Sequence, residues 1–79
     1  MATPLSPATE AVGARIRARR QDLGLSQEAL ADLAHVHWTF LGQVERGQRN
    51  LNLHNLLKIA KALEINPAVL VDGLDPPDL

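Results

Sequence analysis

Apolar residues recur at helical spacing along most of this chain, and no segment sustains the alternation of a strand. Val12 and Ile16 lie one turn apart, with Leu23 further along the same face. Ser6 before Pro7 reads as an N-cap followed by proline at the first helical position, where its missing N–H leaves nothing unpaired. The pattern predicts a helix from Pro7 to about Asp22, stopped by Gly24. Ser26 caps a second helix, Gln27 to about Ala34, with Leu30, Leu33 and Ala34 as its inward stripe and Glu28 at the positive end of its dipole. After a short break at His35-Val36, a third helix runs from His37 to about Glu45, facing Leu41 and Val44 inward. Arg46 to Asn50 reads as a loop in which Gly47 can take a left-handed conformation. Asn52 caps a fourth helix, Leu53 to about Leu63, whose Leu53, Leu56, Leu57, Ala60 and Leu63 follow the i, i+3, i+4, i+7 pattern. Asn66-Pro67 repeats the cap-and-proline start for a short fifth helix reaching about Val71, with Leu70 as its core residue. The expectation is an all-α domain over residues 6–72, preceded by a flexible arm (1–5) and followed by an acidic, proline-containing tail (73–79).

Two short helices joined by about three residues form the core of a helix-turn-helix, whose second helix fits the major groove and presents its N-terminal side chains to base edges. Here that helix begins His37-Trp38-Thr39, while the free N–H groups behind Ser26, together with the Gln27 side chain, can hold a phosphate.

Composition narrows the remaining choices. With 79 residues there is room for one modest core, so dimerisation is a natural source of added stability. Cysteine is absent, which excludes disulfides and thiolate metal sites. His35, His37 and His54 do not make a zinc ligand set, so no metal and no cofactor are expected. Ser26 has no arranged His–Asp pair and there is no glycine-rich phosphate loop, so no enzymatic activity is expected. No apolar run approaches a membrane span and Met1 to Pro7 lacks a signal-peptide pattern, so a cytoplasmic protein with no membrane partner is expected. Net charge is only -1, but residues 1–50 hold six Arg against five acids, while acids collect near the end at Asp72, Asp75 and Asp78.

Three stretches, Leu23-Gly24-Leu25-Ser26-Gln27-Glu28-Ala29-Leu30-Ala31, Val44-Glu45-Arg46-Gly47-Gln48-Arg49-Asn50 and Leu57-Lys58-Ile59-Ala60-Lys61-Ala62-Leu63, occur in this order. Together they resemble the phage-repressor/Cro-like family, also called the xenobiotic-response-element family, over about residues 12–71. The Val44–Asn50 stretch is similar in particular to restriction–modification controller proteins. The resemblance implies a five-helix, lambda-repressor-like fold with a central helix-turn-helix, acting as a transcriptional regulator that binds double-stranded DNA at a palindromic operator as a homodimer. By that resemblance Gln27 would contact phosphate, and His37, Trp38, Thr39 and Gln43 would read or flank bases. Arg46, Arg49 and Asn50 would lie beside the DNA backbone. The segment after the fourth helix would make the dimer through Val71 and Leu74. The family also pairs an arginine of the first helix with the glutamate ending the recognition helix, here Glu45 with Arg19 or Arg15, leaving Arg17 and Arg20 for solvent or phosphate.

Three residues depart from the family pattern: His35 stands where glycine is common, Trp38 is bulky for a groove-facing position, and Gly42 interrupts the recognition helix, where it would allow close approach to DNA. Phe40 is expected to be partly buried beside the backbone. A different function is an antitoxin-like or other protein-interaction module in which DNA binding is secondary. No small-molecule ligand is expected, since no separate ligand domain is visible.

Overall fold

Each helix begins at a side chain that accepts a hydrogen bond from the backbone of its first turn. The computed structural model describes residues 3–77, so Met1, Ala2, Asp78 and Leu79, at the ends of the expected arm and tail, lie outside the described residues. Five helices follow in order: α1 (Pro7–Asp22), α2 (Gln27–Ala34), α3 (Trp38–Glu45), α4 (Leu53–Ala62) and α5 (Pro67–Val71). Ser6, Ser26, Asn52 and Asn66 cap four of them. The fifth cap is His37, whose Nδ1 accepts from the Thr39 N–H at 3.1 Å, so α3 starts at Trp38, one residue later than its sequence suggests. Histidine lies outside the usual capping set, which is why the cap is hard to see in the sequence.

The first four helices stop in the same way. Gly24, His35, Gly47 and Glu64 all have positive φ, between 57° and 75°. In each case the next N–H reaches five residues back: Leu25 to Arg20, Val36 to Ala31, Gln48 to Gln43 and Ile65 to Ala60, at 2.9–3.1 Å. This closure satisfies carbonyls that a helix end would otherwise leave unpaired. His35, standing where glycine is common, takes the left-handed conformation at a cost of about 1 kcal/mol relative to glycine.

The core consists of Ile16, Leu30, Ala31, Ala34, Leu41, Val44, Ile59, Ala60, Leu63 and Leu70. It corrects two expected stripes: Leu33 on α2 is 56% exposed, and Leu53 and Leu57 on α4 are 64% and 43% exposed. The reason is rotational. Both helices bury an i, i+1, i+4 set, Leu30/Ala31/Ala34 and Ile59/Ala60/Leu63, so the inward direction lies between i and i+1. At about 100° per residue, Leu33 and Leu57 then fall roughly 110° from that centre. Small residues at Ala31, Ala34 and Ala60 line the zone where α2 and α4 pack.

Gly13 was not conspicuous in the sequence, yet it sets the α1–α3 distance. A methyl group there would overlap the Val44 carbonyl oxygen and lie 2.7 Å from that of Glu45. Those are backbone atoms of α3 that cannot swing aside. Replacing Gly13 by alanine is therefore expected to lower stability by at least about 2 kcal/mol despite alanine's better helix propensity. Urea unfolding would check this, and an unchanged midpoint would contradict the close-packing account.

Candidate nucleic-acid interface

The helix-turn-helix is held by a buried ion pair at the end of α3. The Arg20 guanidinium donates to both Glu45 carboxylate oxygens, from Nε at 2.7 Å and from Nη2 at 2.9 Å, and from Nη1 to the Leu25 carbonyl at 2.9 Å. Both residues are more than nine-tenths buried. The hydrogen bonds to Glu45 raise the Arg20 pKa further above the ordinary arginine value, against the opposing effect of burial. A raised basic group contributes its stability below its unfolded pKa and loses it only above that value. Arg20 therefore stays charged, and this pair brings no arginine titration near neutrality.

This corrects the expected pairing of Glu45 with Arg19 or Arg15, and removes Arg20 from the residues free to meet phosphate. Gly13, Ile16 and Arg20 are three and four residues apart and form the buried face of α1, which packs on α3. Arg15 and Arg19 lie on the neighbouring stripe, over the ends of α5 and α4. Arg15 Nη1 donates to the Val69, Leu70 and Asp72 carbonyls at 3.3, 3.3 and 2.8 Å, and Arg19 Nε to the Leu63 carbonyl at 3.0 Å. Cations are favoured there because the carbonyl ends of helices are negative. Arg17 is exposed.

Glu45 also orients Gln27. The Gln27 Nε2–H donates to Glu45 Oε1 at 3.0 Å, so one carboxylate ties the start of α2 to α1 and α3. Thr39, Gln43 and Arg46 are four and three residues apart and form a stripe along α3. Thr39 and Arg46 are exposed, and Gln43 is half-buried. No hydrogen bond among the described residues ties down the Thr39 or Gln43 side chains.

Trp38 is 55% exposed and its ring stacks on His37 at 5.8 Å between centroids, above a depression lined by Glu28, Asp32 and Val36. Phe40 is half-buried against the core, as expected, and the Arg49 guanidinium lies 5.1 Å from the centre of its ring. This contact restrains Arg49 at the edge of the α3 face. Asn50 beside it is exposed. Gly42 is covered by side chains of the surface: the atoms nearest its empty side-chain position belong to Arg46 and Gln27. On the opposite side, Gly47 accepts hydrogen bonds at its carbonyl from the Leu5 N–H at 2.8 Å and the Thr9 hydroxyl at 2.9 Å, fixing the chain just beyond α3. No group of three or more metal-ligating side chains occurs among the described residues, and none of their helices is long and apolar enough to cross a membrane.

Five helices with a two-helix reading unit at their centre define a helix-turn-helix domain of the DNA-binding regulator class. The chain belongs to the helix-turn-helix family, which residues 16–70 match. It is similar to the control protein C.BamHI of Bacillus amyloliquefaciens, with 46% identity over 48 residues, which are 61% of this chain and 59% of that relative. The chain thus aligns with less than two thirds of that protein. Its structure resembles the restriction-modification controller protein C.AhdI from Aeromonas hydrophila, with a TM-score of 0.80 and 46% identity, covering 82% of this chain and 98% of that one. The c2 repressor of Salmonella phage P22, solved in complex with a synthetic operator, has a TM-score of 0.74 and 40% identity, covering 80% and 96%.

The ion pair makes a stability prediction. Arg20→Met or Glu45→Leu alone leaves an unpaired buried charge and is expected to cost about 3–5 kcal/mol. The double variant should recover most of that loss, as read from thermal or urea unfolding. Additive losses in the double variant would show that the two residues do not act as a pair.

Proposed function

We propose that this protein is a sequence-specific transcriptional regulator that binds a palindromic operator as a homodimer, with residues 6–72 as its DNA-binding unit. The observation carrying this reading is the division of α3 into two faces. Leu41, Val44 and Glu45 are buried, while Trp38 and Thr39 stand outward at its N-terminal end. A helix held this way fits the major groove with its first turns against base edges. Trp38, Thr39 and Gln43 are assigned to bases, with His37 at the entry. Gln27, Arg46, Arg49 and Asn50 are assigned to the sugar–phosphate wall. The operator complex of the P22 c2 repressor supports this reading by likeness.

Dimerisation is assigned to the end of the chain. Val71 is 43% exposed, and it shares with Leu74, Val12, Leu51 and Leu56 an apolar groove open to solvent. Pairing two such faces about a twofold axis would set two recognition helices about one DNA turn apart, the geometry of the repressors of this family.

Selection from a randomised duplex pool at about 0.15 M salt tests the reading, because such salt suppresses purely electrostatic binding. An inverted repeat should emerge; salt-sensitive binding without sequence enrichment would sink it. On the selected operator, Thr39→Ala should change preference at one position by about 1–3 kcal/mol. Arg49→Ala should weaken all duplexes alike and reduce the salt slope by about one unit. Val71→Asp should yield monomers in sedimentation together with weak operator binding, whereas a persistent dimer would place the interface elsewhere.

A further inference from the structure

Gly42 sits in the middle of α3 with an ordinary helical backbone, so no left-handed turn calls for glycine there. Glycine is the poorest helix former after proline. At Gly13 the packing explains it, because backbone atoms occupy the place of a side chain. At Gly42 the surroundings differ in kind. The nearest atoms to a built methyl carbon are Arg46 Nη1 at 3.3 Å, Gln27 Oε1 at 3.6 Å and Arg46 Nη2 at 3.8 Å. All three are the far ends of long side chains, so the fold itself would accept alanine.

We propose that Gly42 is a positioning residue for DNA-backbone binding. Its missing side chain makes a seat that holds the Arg46 guanidinium beside the Gln27 carboxamide oxygen, from where its free N–H groups reach one phosphodiester. The proposal rests on the operator-binding reading above. Arg46 follows Gly42 by four residues, and helical side chains lean toward the N-terminus, so its guanidinium lies back over that position. Arg46 Nε also donates to Gln48 Oε1 at 3.3 Å, which steadies the side chain from the other side. The Gln27 amide is oriented by its Nε2–H bond to Glu45, which turns its Oε1 toward the seat and the guanidinium there. A guanidinium held in one place beside a fixed amide oxygen is a charge-assisted donor suited to a phosphate. A methyl group at 3.3 Å from Nη1 would push the guanidinium off this seat.

The experiment compares Gly42→Ala, Arg46→Ala and the double variant with the wild type. Each is titrated with the selected operator and with a random duplex of equal length over a range of salt, and each is also melted. Gly42→Ala should raise the melting temperature by about 4–8 °C, the effect of improved helix propensity in a domain of this size. It should weaken binding about three- to tenfold on both duplexes alike, and lower the salt slope by up to one unit. In the Arg46→Ala background it should have no further effect on affinity. An equal loss in that background would overturn the proposal, because the methyl would then be meeting DNA directly. Unchanged affinity and slope in Gly42→Ala would overturn it as well. If the wild type binds no duplex, the operator reading and this proposal fall together, a result distinct from failure of the variant comparison alone.

Discussion

The Glu45 carboxylate joins the parts of this domain that must not move relative to one another. It takes two hydrogen bonds from Arg20 of α1 and one from Gln27 of α2, while itself ending α3. Removing both charges from water is costly, and the attraction between them offsets that cost only where geometry is good and the remaining donors and acceptors are used. Here the guanidinium is bidentate, and its third nitrogen is bonded to the Leu25 carbonyl. The net gain in stability over an apolar substitute is expected to be small. The gain in definition is larger, since α3 has one angle and one depth at which these bonds all form. Gly13 applies a second constraint at the same place, letting the α1 backbone rest against the carbonyls of Val44 and Glu45.

Much of the fold is legible in the chain because its signals are local. Ser6, Ser26, Asn52 and Asn66 cap the helices they were expected to cap, and Gly24 and Gly47 take the left-handed turns suggested by their type. Glu64 takes the same conformation without any hint from its residue type. The buried faces were less legible. Leucine at helical spacing marks a face, but Leu33, Leu53 and Leu57 show that rotation about the helix axis is decided by the neighbouring helix, where small alanines permit the closest approach. The arginines of α1 show the same limit. Four lie within six residues, and which one meets Glu45 depends on the register of α1 against α3, which Gly13 sets.

The proposed site was legible through its motifs and less so through its wiring. The stretch containing Ser26-Gln27 and the one ending Arg49-Asn50 both come to lie against α3, through Glu45 and Phe40. The link from Gln27 to Glu45 crosses 18 residues of sequence. The seat at Gly42 is an empty space, visible only once its neighbours are in place. Phe40 and Arg49 make the same point, since their stacking joins a helix to a loop.

Because α3 is secured at its inner face and at its last residue, the outward side chains of its opening turn contribute little to holding the molecule together. The Thr39 and Gln43 side chains make no hydrogen bond to the rest of the described residues, and Trp38 rests on its sequence neighbour His37. Mutational drift at these positions can therefore proceed with little penalty in folding. If these side chains read bases as proposed, a lineage carrying this scaffold can change its DNA target by substituting two or three of them, while the positions behind them stay under strict structural selection.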